Sequence, residues 1–235
     1  MKRYAVLVVA FIAAAVCVRL GIWQLRRLEE RSTRNDGLAA RLAVPPLDLS
    51  VTEPAILESD SLHFRRAVAR GVFDFERQVV VLARSQQATP GVHVVTPLRL
   101  AGGAAILVER GWVPAPDGRT VDLPPLQEPD SALVEGVLMW PSQRVAVDSA
   151  GAAWPRYVRV ARPAALQAAY PYPLHGVLLR RTEAPGDAPA TLRPVSLSPL
   201  TSGPHLAYAI QWFAFAVIAV AGSVALYRKS ARDAG

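Results

Sequence analysis

Apolar residues crowd the two ends of the chain, and they alternate with polar ones through the middle. Residues 4–23 are apolar except for Arg19, and residues 206–226 carry no formal charge. A helix rises about 1.5 Å per residue, so about 20 residues cross the roughly 30 Å hydrocarbon core of a bilayer. The pattern therefore predicts transmembrane helices at 4–23 and 205–227. Lys2 and Arg3 would also suit a signal peptide. The first run, however, ends on Arg19 and the bulky Trp23 rather than on the small residues of a cleavage site, so it reads as an uncleaved anchor. Beyond Trp23 the spacing stays helical to 44, with Leu25, Leu28, Leu38 and Leu42 set among charges. Arg26 and Glu30, then Glu30 and Arg34, are spaced as i, i+4 pairs. Pro45-Pro46 ends that extension.

From 45 to 181 the pattern changes to short alternating runs. Strands are predicted at 65–73 and 78–84, paired around 74–77. A hairpin is predicted from 92–100 and 104–110 across Ala101-Gly102-Gly103. Further strands fall at 133–140, 157–160 and 174–181. Residues 163–170 read as a short helix with a proline in its first turn. The fold class expected is a membrane protein in which two transmembrane helices flank a β-rich α+β soluble domain. That domain would be an antiparallel sheet or a partly closed barrel. Residues 182–204 are Pro-rich and read as an extended linker to the second helix.

Charge sharpens this picture. The chain carries +7 overall, which invites a nucleic-acid partner. Between positions 24 and 204, however, 20 Arg face 18 acidic residues, with no Lys. A folded domain so nearly balanced lacks the basic face that nucleic acid requires. All 20 prolines lie in that middle. The lone cysteine, Cys17, lies within the first apolar run, so the soluble part has no disulfide, thiol-redox or thiolate-metal chemistry. Arg228, Lys229 and Arg232 follow the second helix, which places both termini in the cytoplasm and the loop outside it. Arg26, Arg27, Arg31 and Arg34 after the first helix run against that rule, but long loops translocate largely regardless of charge.

Within the membrane, Ala13, Cys17 and Gly21 form a small-residue stripe that would admit a second helix closely. Arg19 and Gln211 fall at similar depths and are placed to meet across the pair. Ionisable groups at such depths are functional candidates. The histidines form no metal motif. His93 alternates with valines and reads as a sheet residue, while His63 and His175 read as surface or turn residues. Glu109-Arg110-Gly111-Trp112 reads as a bulge glycine beside a core tryptophan, with its charges outward. His205 opens the second helix and shares a face with Tyr208 and Trp212. A neutral imidazole there suits an axial heme ligand, and a His-Tyr-Trp interfacial belt explains the same pattern. No nucleophile–base constellation is visible, so a non-enzymatic protein is expected.

The two ends carry a resemblance. Leu20-Gly21-Ile22-Trp23-Gln24-Leu25-Arg26-Arg27 resembles the LGxWQxxR motif that closes the first membrane helix of the Surfeit locus protein 1 family. His205-Leu206-Ala207-Tyr208-Ala209-Ile210-Gln211-Trp212-Phe213 is similar to the HLxYAxQWF motif that opens its second. Pro90-Gly91-Val92-His93-Val94-Val95-Thr96-Pro97 and Arg110-Gly111-Trp112-Val113-Pro114 resemble its central segments. The sequence departs from the family pattern at Gly203-Pro204, Arg31 and Glu109.

The resemblance implies an assembly factor for heme-copper cytochrome c oxidase that binds heme a and assists its insertion into the catalytic subunit. It implies His205 as the ligand to heme iron, with Tyr208 and Trp212 lining the porphyrin. Arg19 or Arg27 would meet the propionates. The partners implied are the oxidase catalytic subunit, the heme a synthesis enzyme, membrane lipid and, in a homo-oligomer, a second copy of the chain. The location implied is a bacterial inner membrane, spanned twice, with the soluble domain on the periplasmic side. The rival reading is a scaffold that stabilises oxidase assembly intermediates without binding heme.

Overall fold

The structure, a computed structural model, describes residues 2–50, 60–141, 153–183, 186, 188–197 and 199–232. The chain divides into two units, Met1–Ala39 with Pro199–Gly235, and Ala40–Ser198.

The first unit is a pair of long helices, α1 (Lys2–Ala43) and α3 (His205–Arg232), with α1 running on beyond the unit's edge. Both are long and apolar enough to cross a membrane, and only 11% and 17% of their apolar windows are buried. A soluble protein's core helix would be mostly buried, so these faces need an apolar solvent. The helices run antiparallel, because Gly203 lies by Arg31, His205 by Gln24 and Phe213 by Gly21. The covered positions of α1 (Ala14, Cys17, Gly21, Gln24) and of α3 (His205, Ala209, Trp212, Ala216) alternate by three and four residues. That is the spacing of a seam between two nearly aligned helices. Gly21 is buried against Phe213, and a Cβ there would sit 2.7 Å from the ring. Of the expected stripe, Ala13 is exposed, and its neighbour Ala14 takes the covered place.

The second unit is an eight-stranded sheet. Its strands are β1 (Leu47–Asp48), β2 (Arg66–Phe73), β3 (Val79–Gln86), β4 (Thr89–Leu100), β5 (Ala105–Pro114), β6 (Ser131–Met139), β7 (Arg156–Val158) and β8 (Leu174–Arg181). Their spatial order is β1-β2-β6-β8-β5-β4-β3-β7. The β4–β5 hairpin forms as expected, with Gly103 at φ +85° in its turn. The sheet itself is mixed rather than antiparallel, because β1–β2, β3–β7 and β5–β8 are parallel pairs. Parallel neighbours need connections of a dozen or more residues, and each of these pairs has one.

The expected β2–β3 pairing is also absent. A 3-10 turn at Phe75–Arg77 separates the two strands, and both pair with β4. Strand β4 is 12 residues long. One of its edges carries β3 and then the end of β2 in tandem, while its other edge carries β5. This second pairing of β2 closes β2, β6, β8, β5 and β4 into a ring.

Close strand approach at the ring demands glycine. A Cβ on Gly136 would lie 2.2 Å from the Arg180 carbonyl, and one on Gly71 2.3 Å from that of Arg99. Backbone atoms cannot step aside, so Gly136→Ala is expected to cost about 1–3 kcal/mol of domain stability, read by urea unfolding.

The buried residues fall into three clusters. One contains Ala67, Phe73, Leu98, Ile106, Val134 and Leu179 from the ring strands. On the opposite face, Val79, Val95, Leu107 and Leu178 pack with Leu166 of α2 (Pro163–Leu166) and with Tyr170. The third gathers Val80, Val92 and Val94 with Leu123, Leu126 and Leu192. Leu192 belongs to the segment expected to be a linker, and Arg193 beside it bridges to Trp112 of β5. Positions 184, 185, 187 and 198 of that segment lie outside the described residues.

Candidate functional site

Polar side chains gather in three places, one in the helix pair and two on opposite faces of β5. In the helix pair, His205 is the first residue of α3 and is half-buried. Its Nδ1 lies 2.7 Å from Oε1 of Gln24. An amide oxygen only accepts, so Nδ1–H donates, and in a neutral ring that places the lone pair on Nε2. Gly203, at φ +72°, turns the chain into α3. The Arg31 guanidinium lies over this glycine, 2.9 Å from where a Cβ would stand, and His205 Nε2 lies 3.8 Å from the same point. Left-handed φ and this contact both favour glycine here.

The other expected site residues are more dispersed. Tyr208 is exposed, and Trp212 is half-buried with its ring edge-on to Phe215 at 5.9 Å. Arg27 is exposed and pairs with Glu30 at 2.7 Å. Arg19 and Gln211 are both exposed on their helices, and the bond that joins the pair at this end is Gln24–His205.

The soluble unit corrects the reading of Glu109 and Arg110, whose charges were expected outward. Both are buried. Strand β5 is covered on both faces, and a bulge sets Arg110 between the partners of Val94 and Val95. Trp112 is in the core as expected, with its indole N–H packed against Gly91.

On one face, Arg110 donates from Nη2 to Glu128 Oε1 at 2.9 Å and to the Leu126 carbonyl. Arg181 grips the same carboxylate with two bonds, at 2.7 and 2.9 Å. Thr96 and Gln78 flank Arg110 Nη1, and the rings of Phe73 and Phe75 lie 5.5 and 5.0 Å from its guanidinium carbon. Burial pushes the Glu128 carboxyl up. The bonds from Arg181 and the Arg110 charge outweigh it and hold the group below its ordinary range. Burial also lowers Arg110, which Glu128 only partly offsets.

On the other face, Glu109 accepts from His93 Nδ1 at 2.5 Å and from Arg180 Nε at 2.5 Å. Burial raises this carboxyl too, and the His93 bond and the Arg180 charge bring it below the ordinary value. His93 lies in the sheet as expected. His175 does not sit at the surface but is buried, and His63 Nδ1 accepts the Trp140 backbone N–H at 3.0 Å. Among the described residues, no three His, Cys, Asp or Glu side chains gather as a metal site.

The model of the SURF1 family matches residues 11–217. This chain belongs to the SURF1 family. The match takes in Gln24, the soluble sheet and His205 together. Surfeit locus protein 1 of Arabidopsis thaliana is 34% identical over 114 residues, covering 44% of this chain and 32% of that protein. Its counterpart in Takifugu rubripes is 32% identical over 111 residues, covering 40% and 45%. These alignments thus span less than half of the two relatives. A SURF1-like protein of Mycobacterium tuberculosis is 28% identical over 226 residues, covering 93% of this chain and 80% of that protein.

Glu128 and Arg181 were not singled out as site residues from the sequence. Gln24 stands inside the LGxWQxxR segment, which was its signal. Arg180-Arg181 ends an apolar strand, and adjacent positions there point to opposite faces, so each needed its own buried acid. Glu128 lies in a loop with no local pattern to mark it.

Proposed function

We propose that this chain is an assembly factor for heme-copper cytochrome c oxidase that holds heme a on His205 and assists its transfer to the catalytic subunit. The observation that carries the reading is the His205–Gln24 bond, which occupies Nδ1 and leaves Nε2 as the nitrogen turned to a ligand. Metal-bound histidines characteristically donate their second ring N–H to such an acceptor. The donor set therefore fits a group that asks for one neutral imidazole. Heme a, when bound, supplies an iron that accepts such a ligand. Tyr208 and Trp212 on the same helix would offer aromatic surface to the macrocycle, and Arg27 or Arg19 a cation to its carboxylates. The basic residues Arg228, Lys229 and Arg232 at the C-terminal end of α3 support cytoplasmic termini and a periplasmic soluble unit in a bacterial inner membrane. Partners on this reading are the oxidase catalytic subunit and the enzyme that makes heme a.

The test is to purify wild type and His205→Ala from cells that make heme a. Wild type should carry heme with a Soret band that the variant loses. Equal heme content and an unchanged band would sink the ligand role. A wild type free of heme that still copurifies oxidase subunits would favour the scaffold reading.

A further inference from the structure

A cavity of about 450 Å³ opens on the β5 face that carries Glu109. Its floor is apolar, from Val81, Met139, Trp140 and Leu178. Three arginines line it, Arg84, Arg159 and Arg180. Glu109 is the one acid in its wall among the described residues, and His93 and Arg180 hold one oxygen each. Arg180 gives only its Nε to Glu109, so its terminal nitrogens are left to face a ligand. Arg84 donates from Nη2 to the Arg159 backbone carbonyl at 2.5 Å, which fixes the Arg84 side chain across the cavity. The formal balance of the lining is three Arg against one Glu, a surplus of +2.

We propose that this cavity binds a small amphipathic carboxylate, with its apolar body on the Trp140–Leu178 floor and its head between Arg84, Arg159 and Arg180. The volume lies within the range of small-molecule sites, which are mostly apolar with a few placed polar groups. Guanidinium forks match a carboxylate with paired bonds. A small molecule fits better than a peptide laid as an extra strand. Strand β7 covers β3 only at Val79–Val81, and beyond it the bulge at Ala83, with φ +53° and its N–H bonded to the Gly118 carbonyl, breaks the regular ladder an added strand needs. The ion pair on Glu109 gives the site a fixed wall, because Arg180 cannot leave without stranding a buried carboxylate. The site lies wholly within the soluble unit and does not depend on the heme reading.

Equilibrium dialysis of the full chain in mild detergent, against a detergent blank, tests it with 4-phenylbutyrate and its uncharged match 4-phenylbutanol. Saturable binding of one phenylbutyrate is expected, with phenylbutanol at least tenfold weaker. Arg159→Gln changes an exposed side chain, and its thermal midpoint should match wild type while phenylbutyrate affinity falls at least fivefold. Arg84→Gln combined with Arg159→Gln should bring the carboxylate down to the level of the alcohol. Equal binding of acid and alcohol would overturn the proposal, as would an Arg159→Gln variant with unchanged affinity. Saturable binding of an acetylated Asp-Glu tetrapeptide in place of phenylbutyrate would overturn it as well, in favour of a protein partner.

Discussion

Glu128→Ala should destabilise the soluble unit by about 3–5 kcal/mol, the usual cost of removing one partner from a buried ion pair. The Glu128 side chain is 3% exposed, and it is the shared counter-charge of Arg110 and Arg181, at 0% and 3%. Without it, two guanidinium groups would face each other across the core. Thr96, Gln78 and the Leu126 carbonyl would remain near Arg110, but none carries charge. Glu128→Gln keeps the shape and one acceptor, so its loss should be smaller. The same group governs acid sensitivity. Its folded-state pKa lies below the ordinary 4.5, so its stabilising contribution is complete above that value. The contribution is lost as pH falls through the lowered folded value. Glu109 acts in the same sense. The urea midpoint of wild type should therefore fall steeply below about pH 4.5, and that of Glu128→Gln less steeply. Urea titrations in mild detergent, followed by tryptophan fluorescence, read both effects. A Glu128→Ala loss under about 1 kcal/mol would show that Arg110 and Arg181 reach water or another acid.

The parts of this fold that were legible in the sequence are those set by local chemistry. A run of some 20 apolar residues has few solutions other than a membrane helix, and α1 and α3 follow the two runs. The β4–β5 hairpin is announced by Ala101-Gly102-Gly103, because Gly103 supplies the positive φ that the turn needs. The partners of β2 were not legible. Pairing beyond a hairpin depends on which edges remain free, and β4 is long enough to take both β2 and β3 on one edge. The burial of Glu109 and Arg110 was missed for a related reason. Alternation shows that neighbours point to opposite faces, not whether both faces are covered. Their partners Arg180, Arg181 and Glu128 lie far along the chain, brought in by the parallel β5–β8 pairing and the loop before β6.

Those two buried acids give β5 a distinct role. A carboxylate packs on each side of β5, Glu109 from the strand itself and Glu128 from the loop before β6, and β8 holds them with Arg180 on one face and Arg181 on the other. A β8 slipped by one residue against β5 would keep an arginine for one acid and leave the other beside Leu179 or Thr182. The ion pairs therefore act as a register lock on a parallel pair that hydrophobic side chains alone specify weakly. Such a lock costs desolvation, which is why the pairs must be complete to be tolerated.

On the proposed heme ligation by His205, Gln24→Leu should weaken heme a binding by about 10–100-fold, the usual effect of losing the group that orients a metal-bound histidine. The argument rests on two atoms. Gln24 Oε1 accepts from the His205 Nδ1–H, and without it the imidazole is free to place its proton on Nε2, the nitrogen proposed to meet iron. Ring rotation would add to the loss, because the bond also fixes the plane of the imidazole. Gln24 is half-buried on the covered face of α1, so leucine at this place keeps the helix contact and removes only the acceptor. Gln24→Glu restores an acceptor and should recover most of the affinity. Titration of the purified, heme-free chain with heme a, read in the Soret region, gives the three affinities. A Gln24→Leu protein as tight as wild type would mean that the bond merely packs α1 against α3. Loss in both variants alike would point to the amide nitrogen, or to disruption of the helix pair, rather than to tautomer control.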